Sequence, residues 1–281
     1  MSLALAIDGM NFLHRARAGM KFGPAPVIFN FMRNFRSLID QFSPDEVWFV
    51  LEGKPQHRLD ISQEYKANRK IDPESDEFKE RQKFFSQVEE ILAVLRESFP
   101  VNVARHPRFE CDDTIFNLVK NGMAKNWIVV SNDSDFTQLL CGMNHVKIWN
   151  PMKKSWVDKT RYDYVTWKSL RGDSSDNIAG LPGIGDKIAE DLSLDPQNLQ
   201  KFLLENPSLN EQFCKNLSLI RFSAWFEQDW LDLQVTTGAK SWDSLKSLFQ
   251  KYSFSSLLKD DTWIKFTDTF DRIRGWNERA R

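Results

Sequence analysis

Leu3-Ala4-Leu5-Ala6-Ile7-Asp8-Gly9 decides the fold. A short apolar run of this kind reads as a buried strand, here stopped by a carboxylate and a glycine. The pattern recurs downstream. Val47-Trp48-Phe49-Val50-Leu51 runs into Glu52-Gly53, and Trp127-Ile128-Val129-Val130 runs into Ser131-Asn132-Asp133. Further strands are predicted over 101–104 and 146–149. Val27, Phe31, Phe35 and Leu38 have helical spacing, which predicts a helix over 27–42. Residues 78–99 read as a long amphipathic helix, and Asp112 opens another with Ile115, Leu118 and Val119 on its core face. Strands alternating with helices imply an α/β fold with a parallel-rich sheet. In such sheets ligands bind beyond the carboxyl ends of the strands. Asp8, Glu52 and Asp133 all stand there, which predicts one shared site.

More acids follow the same rule of position. Glu110-Cys111-Asp112-Asp113 begins a helix, Asp133-Ser134-Asp135 follows a strand, and Asp173 and Asp176 lie on a predicted helix. Glu110 and Asp113 are three apart, as are Asp173 and Asp176, so each pair shares a helix face. Two carboxylates about 5 Å apart repel by roughly 3 kcal/mol at an effective dielectric near 20. A group of them persists only if protons or cations neutralise it. Oxygen-only donors favour hard divalent ions, Mg²⁺ or Mn²⁺. Two such ions would suit phosphodiester hydrolysis, one activating water and one stabilising the leaving oxygen. Asp8, Glu110, Asp112 and Asp133 are expected as the closest ligands. Glu52, Asp113, Asp135, Asp173 and Asp176 are expected to act directly or through bound waters.

The bulk numbers are compatible with this. The chain has 281 residues, 41% hydrophobic and 27% charged, as for a soluble globular protein. Its 22 Phe and 10 Trp suggest a large aromatic core. A formal net charge of −1 is low for a nucleic-acid binder. Nine of the 39 acids belong to the site, however, and the other 30 face 38 Lys and Arg, so the remaining surface is basic. The three cysteines show no CxxC spacing and the four histidines no HxxxH or HExxH pair, which argues against zinc and for a reduced, cytoplasmic setting. No signal peptide or membrane span is expected.

Two segments add cations. Between Lys54 and Lys70 there are five bases and two acids, directly after Glu52. Arg58, Lys66 and Arg69 are therefore expected to meet DNA, and Lys66 and Arg69 share a helical face toward the scissile phosphate. Tyr65 is placed to stack on a base or to pack in the core. Gly180-Leu181-Pro182-Gly183-Ile184-Gly185-Asp186-Lys187 precedes a helix expected near Ile188. Gly183 and Gly185 expose backbone N–H groups at that helix start, and Lys187 adds a charge, a combination that holds a backbone phosphate. GxxxxGK[ST] is absent, so no nucleotide P-loop is present. Strand signals fade after Tyr162, and the tail reads as helical and Trp-rich, with Trp225, Trp230, Trp242 and Trp263 expected in a packed core.

These motifs together resemble the 5′→3′ exonuclease and flap endonuclease family of bacteria and phages, from Leu3 to about Phe222. The resemblance lies in Ala6-Ile7-Asp8-Gly9, Glu64-Tyr65-Lys66-Ala67-Asn68-Arg69, Glu110-Cys111-Asp112-Asp113, Ser131-Asn132-Asp133-Ser134-Asp135-Phe136, Gly172-Asp173-Ser174-Ser175-Asp176-Asn177 and the glycine turn. Phe136-Thr137-Gln138-Leu139 and Asn150-Pro151-Met152-Lys153-Lys154 are similar to the phage ribonuclease H branch. The resemblance implies a PIN-like nuclease domain at 1–165, with a twisted sheet and a helical arch at about 54–85. A helix–three-turn–helix DNA-binding region with C-terminal helices would occupy 166–281. It implies that Lys66 and Arg69 contact the scissile phosphate, and that Gly183, Gly185 and Lys187 grip duplex DNA beside a K⁺ ion. It further implies a monomer that removes 5′ flaps, single nucleotides or RNA primers. Polymerase, clamp or single-strand binding protein would act in trans. Glu52 stands where the family usually has Asp, and Asp186 where a neutral residue is usual. Two other readings compete: a DNA-binding module without catalysis, and a PIN-type ribonuclease that cuts only RNA.

Overall fold

The structure is a computed structural model, and it describes residues 2–21, 23–69, 72–122 and 124–273. Its centre is a seven-stranded sheet. The strands are β1 (Leu3–Asp8), β2 (Glu46–Leu51), β3 (Asn102–Arg105), β4 (Asn126–Val130), β5 (Val146–Asn150), β6 (Ser155–Trp156) and β7 (Gln234–Thr237). Their spatial order is β6-β5-β4-β1-β2-β3-β7. The five inner strands are parallel, and β6 and β7 run antiparallel at the edges. The order of the parallel strands reverses beside β1, and a crevice opens at such a switch point. Register levels Ile7 with Phe49 and Val130, so β1, β2 and β4 release their acids at one height.

Alternation along β1 separates two cores. Leu5 and Ile7 face a core shared with α1 (Gly9–Arg17), α2 (Pro26–Phe42) and α4 (Asp76–Ser98). Ala4 and Ala6 face α5 (Cys111–Asn121). Caps set the helix bounds. Asp8 accepts the Asn11 N–H at 3.1 Å and starts α1. Pro26 stands in the first turn of α2, where its fixed φ suits the start. Ser75 accepts the Phe78 N–H at 3.1 Å, which begins α4 at Asp76 rather than at the expected 78. Between β2 and α4 run the short helix α3 (Gln56–Ile61) and a 3₁₀ turn, Ala67–Arg69. Lys70 and Ile71, inside the expected arch, lie outside the described residues.

The helical module comprises α6 (Tyr164–Arg171), α7 (Asp186–Leu194), α8 (Pro196–Glu205) and α9 (Pro207–Ile220) around Leu170, Leu181, Ala189, Leu192 and Phe213. Gly172 ends α6 at φ 77°, and a Cβ there would meet the Gly180 nitrogen at 2.3 Å. Only glycine fits both demands.

The expectation that the chain past 165 is helical needs correction. Strand β7 pairs with β3, and Thr237 Oγ1 donates to Asn102 Oδ1 at 2.8 Å. After α10 (Glu227–Leu231), helices α11 (Asp243–Lys251), α12 (Ser255–Leu258) and α13 (Asp260–Asp271) join the core around α2. Phe270 is fully buried and meets Phe99 edge-on at 4.7 Å and Phe35 at 5.4 Å. Tail and sheet therefore share one core. The tail tryptophans pack as expected: Trp225 on Trp230 at 4.9 Å, Trp242 on Phe99 at 5.3 Å and Trp263 on Phe249 at 6.0 Å. Among the described residues no helix is long and apolar enough to cross a membrane.

Because of that shared core, Phe270→Ala is expected to cost about 3–5 kcal/mol. Urea unfolding followed by tryptophan fluorescence and by far-UV circular dichroism should show both signals shifting together. A shift confined to one signal would mean that the tail melts on its own.

Candidate metal centre and substrate cavity

A cavity of about 920 Å³ opens over the carboxyl ends of the inner strands. Seven of the nine expected acids line it: Asp8, Glu52, Asp112, Asp133, Asp135, Asp173 and Asp176. Glu110 and Asp113 lie behind its wall, 2% and 0% exposed.

One pole of the cavity is dominated by carboxylates. Asp8 accepts from Ser131 Oγ at 2.8 Å, and burial raises its pKa. Glu52 accepts the Cys111 N–H at 3.1 Å. Loss of water and the nearby Glu110 charge push its carboxyl up to about 7. Burial, then the neighbouring Asp113, raise Asp112 well above the carboxylate range. Burial and Asp135 push Asp133 up to about 6. Among the described residues Asp8, Glu52 and Asp133 have no ion-pair partner. These oxygen-only donors fit a hard divalent cation, because a cation offsets the buried negative charge of all four and the repulsion that adds to it at Glu52, Asp112 and Asp133.

The other pole already holds cations. Lys168 bridges Asp135 and Asp173, with Nζ 2.6 Å from Asp173 Oδ2. Burial opposes its charge, but Asp135, Tyr164 and Asp173 together outweigh burial, so its pKa is raised. Tyr164, one turn earlier, donates to Asp135 Oδ1 at 2.9 Å. Asp173 is opposed by burial, but Lys168 and Ser175 hold its carboxyl below the usual range. Arg69 pairs with Asp176, and Lys66 pairs with Glu110 and lies 3.8 Å from Asp176. Lys66 has φ 55°, a left-handed backbone rare outside glycine, and its N–H donates to the Asp176 carbonyl at 3.0 Å. That hydrogen bond ties the segment after α3 to the loop after α6.

Arg58 departs from expectation, and Tyr65 takes the packed one of its two expected places. Arg58 is 1% exposed and meets no solvent-facing groove. Its Nη1 donates to Glu110 and to Asp113 at 2.6 Å each, Nη2 to Asp113 at 3.0 Å, and Nε to the Leu219 carbonyl at 2.7 Å. Its role is internal pairing, because two buried carboxylates demand its charge. Tyr65, 5% exposed, donates to Glu110 and Asp176 at 3.0 Å and is packed rather than open to a base. Burial opposes the Glu110 charge, but Lys66 and Arg58 outweigh it and lower its pKa. Glu110, Asp112 and Asp113 each offer an oxygen within 4.8 Å of the others, yet Arg58 already lies 2.6 Å from Glu110 and Asp113 and 4.0 Å from Asp112. Asp113 is thus a partner of Arg58, capped further by the Ser223 N–H at 2.8 Å.

The glycine turn is separate: Gly183, Gly185 and Lys187 do not line the acidic cavity. Helix α7 starts at Asp186 with Gly185 as its cap, and Asp186 pairs with Arg171. The acid is therefore answered by a cation of α6. Lys168 and Tyr164 were missed by sequence reasoning. Their signal was a lysine one turn after Tyr164, on the face that α6 buries.

Comparisons with known proteins agree with this geometry. Residues 3–168 match the family model of the 5′-3′ exonuclease, N-terminal resolvase-like domain. The chain is 26% identical to the 5′-3′ exonuclease of Mycobacterium tuberculosis over 77% of this chain and 76% of that one. It is 29% identical to the ribonuclease H of Enterobacteria phage T4 over 59% of this chain and 60% of that one. It spans about a third of the length of the DNA polymerase I proteins that it also matches. The crystal structure of the T5 D15 protein, co-crystallised with metal ions, superposes with a TM-score of 0.65 at 19% identity, covering 97% of this chain and 99% of that one. That likeness is one of fold.

Raised carboxyl groups make stability depend on pH. Glu52 and Asp133 hold protons in the folded state that the unfolded chain has already released between their ordinary values and about 7 and 6. The folded state binds more protons there, so stability falls as pH rises through that window. Calorimetry without divalent ions should show Tm falling between about pH 4.5 and pH 7, with Mg²⁺ removing most of the fall. Asp133→Asn should raise the ion-free Tm at pH 7.5. A Tm that climbs over the same window would contradict the charge deficit.

Proposed function

Because the chain belongs to the 5′-3′ exonuclease family through its N-terminal resolvase-like domain, we propose that it is a structure-specific 5′ nuclease. Its substrates are DNA bearing 5′ flaps and RNA–DNA hybrids, and it hydrolyses their phosphodiester bonds. The observation that carries this reading is the cavity itself, with seven carboxylates on its floor and Lys66 and Arg69 at its edge. Two divalent ions, Mg²⁺ or Mn²⁺, suit the donors. Asp8, Glu52, Asp112 and Asp133 would hold one, and Asp135, Asp173 and Asp176 the other. Such ions lower the pKa of a bound water and offset charge on the leaving oxygen. A variant of the T5 D15 relative was crystallised with DNA and metal ions together, which supports the pairing of these ligands in one site.

The chain's own cations do the rest. Lys66 and Arg69 now neutralise Glu110 and Asp176. Both side chains line the cavity, from which they would reach the scissile phosphate and the charge that develops on it. Arg58 and Tyr65 keep Glu110 oriented. Behind the cavity, the N–H groups of Gly183 and Gly185 and the charge of Lys187 hold a duplex phosphate without reading sequence, with K⁺ the fitting ion there. The Arg171 pairing of Asp186 limits its repulsion of that phosphate. The enzyme works as a cytoplasmic monomer, with polymerase, clamp and single-strand binding protein as partners in trans. Its match to part of DNA polymerase I supports the first of these.

A 5′-end-labelled flap and a nicked RNA–DNA hybrid, each incubated with Mg²⁺, test the proposal. Both should be cleaved, and the product lengths will separate flap removal from stepwise exonuclease action. Asp133→Asn should abolish cleavage while the flap still binds. Turnover surviving in that variant would remove Asp133 from the metal centre. Lys66→Ala should slow single-turnover cleavage by about 10²–10³-fold and change flap affinity far less. A loss confined to affinity would make Lys66 an electrostatic contact only.

A further inference from the structure

We propose that Lys168 is a resident counter-ion of the second metal position, and that its ammonium group must leave Asp135 and Asp173 before a divalent ion can enter. This rests on the reading of those acids as metal ligands. The two poles of the cavity are built differently. At the first, no basic side chain pairs with Asp8, Glu52 or Asp133 among the described residues. At the second, Lys168 comes from α6 with only 9% of its surface exposed. It pairs with Asp135, and its Nζ lies 2.6 Å from Asp173 Oδ2. The two acids come from different loops, one after β4 and one after α6, and a single cation joins them. Tyr164 donates to Asp135 Oδ1 at 2.9 Å and to Ser134 Oγ at 3.0 Å, so α6 fixes the loop after β4 with two side chains.

The chemistry of a lysine suits a removable counter-ion. Its charge sits on a flexible four-carbon stem, so the ammonium can swing aside while the helix stays in place. Among the described residues, an ion arriving at the first pole finds Asp8, Glu52 and Asp133 without ion-pair partners and only Asp112 within 4.0 Å of Arg58. An ion arriving at the second must break both ion pairs of Lys168 and the Arg69 pair of Asp176. The two ions should therefore bind with unequal strength, the weaker at Asp135 and Asp173. Lys168 is a positioning residue in this scheme: it keeps the second pole shaped for a cation and sets the ion concentration at which that pole fills.

Calorimetric titration of the full chain with Mn²⁺, in the absence of nucleic acid, tests this without reference to turnover. Wild type should show one stronger and one weaker association. Lys168→Met should strengthen the weaker one by roughly tenfold or more and leave the stronger one nearly unchanged. It should also lower the ion-free Tm and restore it with Mn²⁺, because two carboxylates lose their cation. Lys168→Gln, which keeps a hydrogen-bond donor, gives the same comparison if the methionine variant folds poorly. Lys168→Arg keeps the charge and should keep the weak second association. If wild type binds two ions and neither neutral variant tightens the second, the counter-ion role is wrong while the metal reading stands. If wild type takes up no Mn²⁺ at either pole, the metal reading fails and the proposal falls with it.

Discussion

The Arg58 guanidinium spends its hydrogen-bonding capacity inside the protein, on Glu110, Asp113 and the Leu219 carbonyl. Those partners belong to three parts of the chain: the start of α5, its first turn and the end of α9. Arg58 itself comes from α3. One buried charge thus fastens α3, the start of α5 and the helical module together. Such a clasp is costly to assemble, because three ions leave water for it. It is costlier to leave half made, since either carboxylate alone would be an unanswered buried charge. The Ser223 N–H on Asp113 and the Tyr65 hydroxyl on Glu110 complete the satisfaction of the two acids. Through Glu110 this node also positions Tyr65 and Lys66, which both reach Asp176.

In front of it the balance is deliberately incomplete. Asp8, Glu52, Asp112 and Asp133 are raised first by burial, and the last three also by neighbouring carboxylates. A stable fold rarely gathers acids in this way unless a ligand relieves the strain, and local conflict of that kind marks working sites. The strain is confined to the ends of strands whose bodies are fully buried and well packed. Lys66, with its left-handed backbone, adds a second local departure at the same place.

Much of this was legible in the amino-acid order. Apolar runs ending in carboxylates gave the parallel strands and the height at which Asp8, Glu52 and Asp133 emerge, because in a parallel sheet all carboxyl ends lie on one side. Spacing of three placed Glu110 and Asp113 on a common helix face, and they do share it. What that face meets was not legible: the partner is Arg58, whose own third contact lies 161 residues further on. A basic stretch looks alike whether its side chains are solvated or buried, and only tertiary contacts tell Arg58 from Arg69. Lys168 hid for the same reason, as an ordinary lysine in an ordinary short helix. Strand β7 was missed because four residues, half of them polar threonines, carry too little pattern to set against helical surroundings.

The pairing of β7 with β3 has a bearing on how the molecule is made. Asn102 and Thr237 are neighbours in the sheet but 135 residues apart in the chain. During synthesis from the amino terminus, β3 leaves the ribosome with one edge bare and must wait for the whole helical module to be translated. An exposed strand edge invites foreign pairing. Nascent chains are therefore most vulnerable to mispairing in that interval. The sheet that carries Asp8, Glu52 and Asp133 is finished only after the helical module has been born.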